Sequence, residues 1–262
     1  MYQLDDTEVL QLLKNKAYLG LSVELIVENK VYGDDQGGSY ADLLKEIKGS
    51  SIEIITDEQL WTNFVHAKTF LIDDTTYIIS TANVTYPSFF MNREYRFVGH
   101  DSWTIQTLIG AFDHDRNADT GDMALLDYLR ICPFNCRRQT TALLDQAKQS
   151  IIIEAQYLED KTIRQQLEDK VAQGVTVQLL RGKYQVKKEL WRLNTQSRIL
   201  ADPNIHAKMI LVDNQKLYIG SMNLSTNAIE NNREIGIVVS DPYVLKRFTK
   251  QFAGDRETAH SF

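Results

Sequence analysis

Two short segments of the sequence carry the same potentially catalytic side chains at the same spacing. His66 and Lys68 are separated by one residue, and His206 and Lys208 repeat that arrangement 140 positions later. Residues two apart in an extended strand point to the same face, so each pair can present an imidazole and an ammonium group together. An imidazole can attack phosphorus or protonate a leaving oxygen, and an ammonium group can stabilise phosphoryl oxygens. Two such pairs in one cleft would suit phosphoryl transfer.

These four residues belong to a longer internal repeat. With the same offset, an aspartate, a hydroxyl residue, an asparagine and a glutamate recur, namely Asp73, Thr81, Asn83 and Glu94 in the first copy and Asp213, Ser221, Asn223 and Glu234 in the second. The asparagine amides can donate hydrogen bonds to phosphoryl oxygens. The aspartates stand at an odd spacing from the lysines and face away from them, so we expect them, like the hydroxyl residues, to be structural.

The elements that must position these side chains also repeat. In the second copy a helical pattern, an apolar strand and two β-branched runs follow one another, at residues 162–173, 175–180, 209–212 and 217–219. The same order occurs in the first copy. Strands that alternate with helices predict an α/β fold of two repeated units, each a sheet flanked by helices, packed about a pseudo-two-fold axis. We place the first unit at residues 1–120 and the second at 121–262, with the division near 117–130.

One strand of the second copy has no counterpart in the first. Residues 150–154 form an apolar run ahead of the helix, whereas the equivalent positions of the first copy would precede Met1. We therefore expect the natural protein to have more residues at its N-terminus, where a signal or a membrane anchor could lie. The cell compartment stays open.

The two copies resemble the paired HKD motifs of the phospholipase D superfamily. The first reads His-Ala-Lys-Thr-Phe-Leu-Ile-Asp from His66 to Asp73, and the second reads His-Ala-Lys-Met-Ile-Leu-Val-Asp from His206 to Asp213. The resemblance extends over most of the chain. It implies a phospholipase D-like fold, a phosphohistidine intermediate, no metal ion or other cofactor, and hydrolysis or transfer at a phosphodiester.

The resemblance also implies roles for individual side chains. We assign His66 as the nucleophile and His206 as the general acid, while the near-symmetry of the copies leaves the reverse open. Glu94 and Glu234 are implied to hydrogen-bond a catalytic imidazole and to fix its tautomer. The alternative for each glutamate is an ion pair with the arginine that precedes it.

Composition and similarity bear on which phosphodiester is bound. The 262 residues carry a net charge of -6, so the overall field repels polyanions, and nucleic-acid binding would need a local basic cleft. Residues 220–225 and 231–236 look similar to bacterial chains of the phospholipase D and cardiolipin synthase group. We therefore favour a phospholipid substrate with peripheral membrane contact. A nuclease and a non-catalytic phosphate-binding module are the alternatives, and a chain that carries both motifs is expected to act as a monomer.

Two segments relate to that choice of substrate. Phe89, Phe90 and Met91 could form an apolar lip for an acyl chain, although such a run is expected to lie in the core. A basic set follows the strand that ends at Leu180 and could track nucleic-acid phosphates, although a solvated helix face is the favoured interpretation. Its members are Arg181, Lys183, Lys187, Lys188 and Arg192.

Two further groups of residues could form other sites but are expected to be structural. Cys132 and Cys136 could form a disulfide or pack as two small thiols, and packed thiols are favoured. The alternating acidic and amide residues at 113–119 resemble the start of a calcium loop without its glycine and its final glutamate. A structural role is favoured, above all for Asp115, whose counterpart in the second copy is Asp255.

Overall fold

The protein is described by a computed structural model that covers residues 1–31, 38–123, 125–182 and 197–261. Helices of the first repeat are α1 (Thr7–Tyr18), α2 (Gly38–Ile47), α3 (Tyr86–Phe90) and α4 (Ser102–Arg116). Its strands are β1 (Glu24–Val27), β2 (Glu53–Thr56), β3 (Thr69–Ile72), β4 (Thr76–Ser80), β5 (Asn92–Arg93) and β6 (Arg96–Gly99). A short 3-10 helix at Asp57–Gln59 follows β2.

In the second repeat, a helix and strand equivalent to α1 and β1 recur, as do the two strands, short helix, strand and long helix equivalent to β3, β4, α3, β6 and α4. Its helices are α5 (Cys136–Asp145), α6 (Lys161–Ala172), α7 (Thr226–Glu230) and α8 (Pro242–Thr258). Its strands are β7 (Leu129–Ile131), β8 (Ser150–Ala155), β9 (Thr176–Gly182), β10 (Ser197–Leu200), β11 (Asn204–Ile205), β12 (Lys208–Val212), β13 (Lys216–Gly220), β14 (Ile235–Val239) and β15 (His260–Ser261). Helix α6 and strands β9, β12 and β13 confirm the elements predicted from periodicity.

The sheets are flanked by helices, so the predicted α/β class is confirmed. In the second repeat eight strands lie in the order β15-β10-β9-β8-β12-β13-β14-β7, with β8, β9 and β10 parallel. In the first repeat β3, β4 and β6 form one antiparallel sheet, and β1 and β2 form a parallel pair. Strand β8 pairs with both β9 and β12. Among the described residues of the first repeat, no strand joins β1 to β3 in this way.

Helix caps and turns use aspartates at equivalent positions of the two repeats. Oδ1 of Asp6 accepts the N–H of Val9 at 3.0 Å before α1, and Oδ1 of Asp160 accepts that of Ile163 at 2.9 Å before α6. Such a cap satisfies a backbone donor that has no acceptor within the helix. The recurrence of these caps explains why both helices begin at the same point of the repeat.

The motif aspartates lie in the turns that follow β3 and β12. Asp73 and Asp213 have φ values of 51° and 50°, in the left-handed region that aspartate tolerates better than most residues. The Asp213 carboxylate also accepts the backbone N–H groups of Lys148, Gln149 and Ser150 at 2.8 to 2.9 Å. It therefore ties the β12–β13 turn to the start of β8.

The two repeats are joined by a shared core and by exchanged ion pairs. Apolar side chains of β4 and β13 lie in one buried cluster between the repeats. Arg93 of the first repeat binds Asp255 of the second through two bonds of 2.6 and 2.7 Å, and Arg233 of the second binds Asp115 of the first. These contacts give Asp115 a structural role. They also rule out the alternative in which each arginine pairs with the glutamate beside it.

We expect Asp115→Ala to lower the free energy of unfolding by about 3–5 kcal/mol, because it would leave the Arg233 guanidinium buried without its counter-charge. Arg233 is only 1% exposed. Urea unfolding followed by circular dichroism measures the change. The matched control is Arg116→Ala, which removes ion pairs of a half-exposed arginine with Glu24 and Glu53 and is expected to cost about 0–1 kcal/mol. Equal costs for the two variants would contradict the stabilising role of the exchanged pair.

Three expectations from the sequence are wrong. Phe90 and Met91 are 71% and 56% exposed rather than in the core, because the five-residue helix α3 buries Ser88 on its inner face. Cys132 and Cys136 form a disulfide, because the turn into α5 brings their Cα atoms to 5.1 Å. Arg181 was expected on a solvated helix face but lies in a strand. Its side chain is buried in β9, where Nε donates to the Ser197 hydroxyl at 3.1 Å.

The remaining members of the basic set, Lys183, Lys187, Lys188 and Arg192, lie outside the described residues. Within the described ranges, the helices are all too short or too polar to cross a bilayer.

Candidate active site

The two His-x-Lys segments meet at the junction of the repeats. His66 and Lys68 immediately precede β3, and His206 precedes β12, whose first residue is Lys208. The positive charge of each lysine acts on the histidine of the other repeat as well as on its own. All four side chains are largely buried. The structure therefore brings both pairs into one site.

Backbone contacts exchanged between the repeats place the histidines there. The N–H of His66 donates to the carbonyl of Arg233 at 2.9 Å, and the N–H of His206 donates to that of Arg93 at 3.3 Å. The residues just before the histidines pair in parallel with the same two arginines. Each imidazole is thus held by the arginine-glutamate segment of the opposite repeat.

The two glutamates complete this exchange. Nδ1 of His66 is 2.8 Å from Oε2 of Glu234, and Nδ1 of His206 is 2.6 Å from Oε1 of Glu94. A carboxylate accepts and does not donate, so in the neutral ring Nδ1 carries the proton and Nε2 presents its lone pair. This is the tautomer that a nucleophile or a general base acting through Nε2 requires. The partner of each glutamate lies in the other repeat, and the sequence alone did not indicate this.

Burial keeps the imidazoles neutral when the site is empty. Desolvation lowers the pKa of His66 to about 4 and that of His206 to about 4, against the opposing effect of the glutamates. Desolvation likewise lowers the pKa of Lys68 to about 7 and that of Lys208 to about 8. An anion entering between these groups would raise all four values, because it stabilises each protonated form.

The lysines are anchored alike but have different neighbours. Nζ of each lysine donates to the carbonyl of the histidine two residues earlier. Nζ of Lys208 also donates to Oε1 of Gln156 at 3.0 Å. At the equivalent place in the first repeat, Lys68 faces the ring of Tyr2 at 5.2 Å, and that ring packs edge-on against His66 at 4.7 Å. Sequence reasoning missed both neighbours. The N-terminal parts of the two repeats align at an offset of 154, as Asp6 and Asp160 show, and this offset places Tyr2 opposite Gln156.

The two asparagines each keep an open hydrogen-bonding position. Nδ2 of Asn83 donates to Gln3 at 3.0 Å. Within the described ranges, the buried Oδ1 atoms of Asn83 and Asn223 have no partner. The oxygen and nitrogen of an amide are assigned from such networks, so an open position of this kind can serve a ligand as donor or acceptor.

The two hydroxyl residues of the motif differ in what they bind. Oγ1 of Thr81 donates to Oε2 of Glu94 at 2.5 Å, whereas Oγ of Ser221 donates to the carbonyl of Ile235 at 3.3 Å. Thr81 thus supports the glutamate that binds His206. Asp73 and Asp213 stand apart from the site, at the far ends of the strands that begin beside the lysines. The part of the chain that the structure describes has no cluster of three or more His, Cys, Asp or Glu side chains suited to a metal ion.

Two copies of one family cover most of the chain. The family described as cardiolipin synthase, PLD-like domain, matches residues 1–116 and 140–256. The chain belongs to the phospholipase D superfamily. Each matched segment contains one His-x-Lys pair with its asparagine and glutamate.

A curated relative is similar to this superfamily member over part of each chain. A phospholipase D of Rickettsia conorii is 26% identical over 127 residues, which make up 46% of this chain and 64% of the relative. The chain therefore spans less than two thirds of that relative.

Solved structures of low identity share the fold. A polyphosphate kinase from Porphyromonas gingivalis superimposes with a TM-score of 0.72 at 16% identity, covering 94% of this chain and 40% of the kinase. A phosphatidylserine synthase from Haemophilus influenzae superimposes with a TM-score of 0.62 at 14% identity, covering 98% of this chain and 85% of the synthase. At these identities the phospholipase D-like fold is what the structures have in common with this superfamily member.

Proposed function

We propose that this superfamily member is a metal-independent phosphodiesterase or phosphatidyltransferase that acts through a phosphohistidine intermediate on phospholipids. The observation that carries the proposal is the pair of buried imidazoles, each held through Nδ1 by a carboxylate of the opposite repeat and flanked by a lysine. Family membership supports the same chemistry. The proposed catalytic residues are His66, Lys68, His206 and Lys208, assisted by Asn83, Asn223, Glu94 and Glu234.

In the first step Nε2 of His66 attacks phosphorus. A P–N bond forms and the bond from phosphorus to the leaving oxygen breaks. His206 in its imidazolium form gives its Nε2 proton to that oxygen, so the alcohol leaves neutral. Glu234 stabilises the positive charge that develops on the His66 ring. Lys68 and Lys208, with the asparagine amides, hold the two non-bridging oxygens.

In the second step the roles are reversed. His206 is now neutral and accepts a proton from water or from an acceptor alcohol as that oxygen attacks phosphorus. The P–N bond breaks and His66 leaves with its lone pair restored. Water gives hydrolysis and an alcohol gives transfer, so one site supports both reactions.

The low pKa of the histidines in the empty site suits this cycle. His66 must be neutral to attack, and its pKa of about 4 ensures this at neutral pH. His206 must carry a proton, which its pKa of about 4 opposes until the substrate arrives. The phosphodiester anion raises that pKa, and the Glu94 carboxylate at 2.6 Å stabilises the imidazolium. The same anion also raises the pKa of His66, so substrate binding favours one proton on the pair of imidazoles, and the reactive form is the one that carries it on His206.

An exposed apolar helix beside the site supports a lipid substrate. Tyr86 and Phe90 of α3 are 63% and 71% exposed, and Met91 follows them. The Met91 carbonyl accepts the N–H of Asn204 at 3.2 Å, two residues before His206. The equivalent helix α7 offers polar residues instead. We propose that the α3 lip, defined as residues 86–91, contacts acyl chains while the headgroup phosphate lies between the histidines.

The names of similar proteins favour the same substrate class. The matching family is described as cardiolipin synthase, the Rickettsia conorii relative is a phospholipase D, and one structural neighbour is a phosphatidylserine synthase. We propose that a single chain suffices for activity, because both repeats contribute to one site. Peripheral contact with the membrane then follows from the α3 lip.

We expect the double change Phe90→Ser and Met91→Ser to lower kcat/KM on phosphatidylcholine vesicles at least about tenfold, because about 1.5–3 kcal/mol accompanies full burial of one such side chain. Turnover of a short-chain phosphodiester present as monomers should stay within about twofold. The control is Trp103→Ser, which removes an aromatic residue of α4 that is 75% exposed. Equal losses on both substrates, or an equal loss in the control, would contradict a role for the α3 lip.

The substrate class is tested by assaying vesicles and single-stranded DNA in parallel with EDTA present. Lipid turnover that is lost in His66→Ala and in His206→Ala would support the proposal. DNA cleavage lost in the same variants would assign the protein to the nuclease alternative. Absence of turnover together with phosphate binding would favour the non-catalytic module.

A further inference from the structure

A chain of amide hydrogen bonds leads from the surface to Glu234. Nδ2 of Asn232 donates to Oε1 of Glu234 at 3.3 Å, and Nδ2 of Asn227 donates to Oδ1 of Asn232 at 2.9 Å. Oδ1 of Asn227 accepts from Nδ2 of Asn63 at 3.0 Å and from Nδ2 of Asn231 at 3.1 Å. We call Asn63, Asn227, Asn231 and Asn232 the amide relay. Its last acceptor is the carboxylate that binds Nδ1 of His66.

The direction of the relay follows from Glu234. A carboxylate only accepts, so Asn232 must present its NH2 group to Glu234 and its oxygen to Asn227. Asn227 must then present its NH2 group to Asn232, which leaves its own oxygen for the two outer amides. Every donor in the relay therefore points toward Glu234. Hydrogen bonds aligned in this way polarise one another and strengthen the terminal bond.

The relay is buried where it meets the site and exposed where it begins. Glu234 is 0% exposed and Asn232 is 7% exposed, whereas Asn227 on α7 faces solvent. Asn63 stands three residues before His66, and its backbone N–H donates to the Asn231 carbonyl at 2.8 Å. The relay thus joins the segment that leads into His66 to α7 of the other repeat.

The first repeat lacks this arrangement although it has the equivalent asparagine. Asn92 corresponds to Asn232, but its Oδ1 accepts from Asn204 at 3.2 Å. Pro87 stands where the second repeat has Asn227. The second oxygen of Glu94 is held by the Thr81 hydroxyl instead. The two glutamates, which look equivalent in sequence, are therefore supported by different groups.

We propose that Asn232 is a positioning residue that, together with Asn227, holds Glu234 against His66 and fixes the orientation of the His66 ring without affecting His206. As a role in catalysis, this rests on the proposed function. The relay sets the direction from which Nε2 of His66 approaches phosphorus. It also makes that direction sensitive to contacts at α7, where exposed Asn227 lies.

The structural part is tested without substrate, by nuclear magnetic resonance of the two imidazole rings in the full chain. Asn232→Leu keeps the side-chain size and removes both the amide oxygen and the NH2 group. We expect the protected Nδ1–H signal of His66 to weaken or shift while that of His206 is unchanged. The matched control is Asn92→Leu, which alters the equivalent residue and should leave the His66 signal as it is. An unchanged His66 signal in Asn232→Leu, or equal changes in both rings, would overturn the proposal.

The catalytic part is tested by turnover of a phosphodiester. A small misplacement of a reacting group has large effects on rate, so Asn232→Leu should lower kcat at least about tenfold and leave KM within about twofold. Asn232→Asp should lower kcat further at neutral pH, because its carboxylate opposes Glu234. As the pH falls, the kcat of Asn232→Asp should rise relative to that of the unaltered protein, because a protonated carboxyl group can donate to Glu234. A loss in Asn232→Asp that does not vary with pH would contradict the donor role.

A second variant covers the case in which Asn232→Leu does not fold. Asn227 is exposed, so Asn227→Leu should fold and should produce a smaller change of the same kind in the His66 signal and in kcat. A normal His66 signal in folded Asn227→Leu would contradict the relay. If the ring signals change as expected and no phosphodiester is turned over, the relay stands and the proposed function fails.

Discussion

The variant His66→Ala is expected to lose at least about 10⁴-fold in kcat on any phosphodiester, because it lacks the group that forms the covalent intermediate. His206→Ala is expected to lose about 10²–10⁴-fold on a substrate with an alkoxide leaving group, because only proton transfer is lost. On a p-nitrophenyl phosphodiester, whose leaving group needs no proton, His206→Ala should release one equivalent of p-nitrophenol rapidly and then stall. Rapid-quench and steady-state assays measure the two phases.

The control for the histidine variants is His100→Ala. His100 is an exposed residue whose ring contacts Thr75 and Thr76, away from the site, and its loss should leave kcat within about twofold. A burst in His66→Ala with none in His206→Ala would reverse the two roles. Small, equal losses in both variants would contradict covalent catalysis.

The lysines should set the alkaline limit of activity. Lys68 and Lys208 stabilise phosphoryl oxygens only as ammonium groups, and burial lowers the pKa of Lys68 to about 7. The ammonium form exists below this pKa and is lost above it, so kcat/KM should fall above about pH 7. It should also fall below about pH 4, where His66 of the empty site becomes protonated. Because the pKa of His206 in the empty site is about 4, His206 must gain a proton as the substrate binds, so kcat/KM should decline gradually between about pH 4 and 7 and more steeply above about pH 7. Because a bound phosphodiester raises the lysine pKa, the alkaline fall in kcat should lie at higher pH than that in kcat/KM.

Replacement of either lysine should lower kcat strongly and should alter the alkaline part of the kcat/KM profile. Lys68→Met and Lys208→Met each keep an unbranched chain without a charge, and each should lower kcat by about 10²–10³-fold. In Lys68→Met the steeper part of the decline, which begins near pH 7, should disappear from the kcat/KM profile. The control is Lys170→Met, which removes another buried lysine whose Nζ binds the carbonyls of Asp145 and Ala147. Alkaline profiles that are unchanged in both site variants would contradict this account.

The doubled motif made much of the fold predictable. One offset of 140 related two sets of polar residues, and strands alternating with helices between them implied repeated α/β units. Those conclusions needed only local periodicity and internal similarity. The His-x-Lys pairs could be recognised for the same reason.

Contacts between the repeats could not be predicted from local periodicity and internal similarity. Internal similarity shows that Glu94 and Glu234 are equivalent, but it does not show which histidine each one binds. His206 lies 112 residues from Glu94, and only the packing of the two repeats brings them together. The exchange of Arg93 with Asp255 and of Arg233 with Asp115 depends on the same packing.

Predictions for surface and loop residues were wrong or missing for a different reason. The Phe-Phe-Met run was expected in the core on composition, yet α3 is too short to bury more than one face. The roles of Asn227 and Asn232 depend on side-chain directions within a single turn of helix and the segment that follows it. The equivalent positions in the first repeat hold Pro87 and Asn92, and Asn92 has a different hydrogen-bond partner. Comparison of the two copies therefore did not indicate the roles of Asn227 and Asn232.

The most direct test of the central claim is to identify the covalent intermediate in His206→Ala. The variant is mixed with a p-nitrophenyl phosphodiester, quenched at alkaline pH to preserve phosphohistidine, digested and analysed by mass spectrometry. The account predicts a phosphodiester adduct on His66 in an amount that matches the burst of p-nitrophenol. A burst without any histidine adduct, or an adduct confined to a residue outside the site, would contradict it.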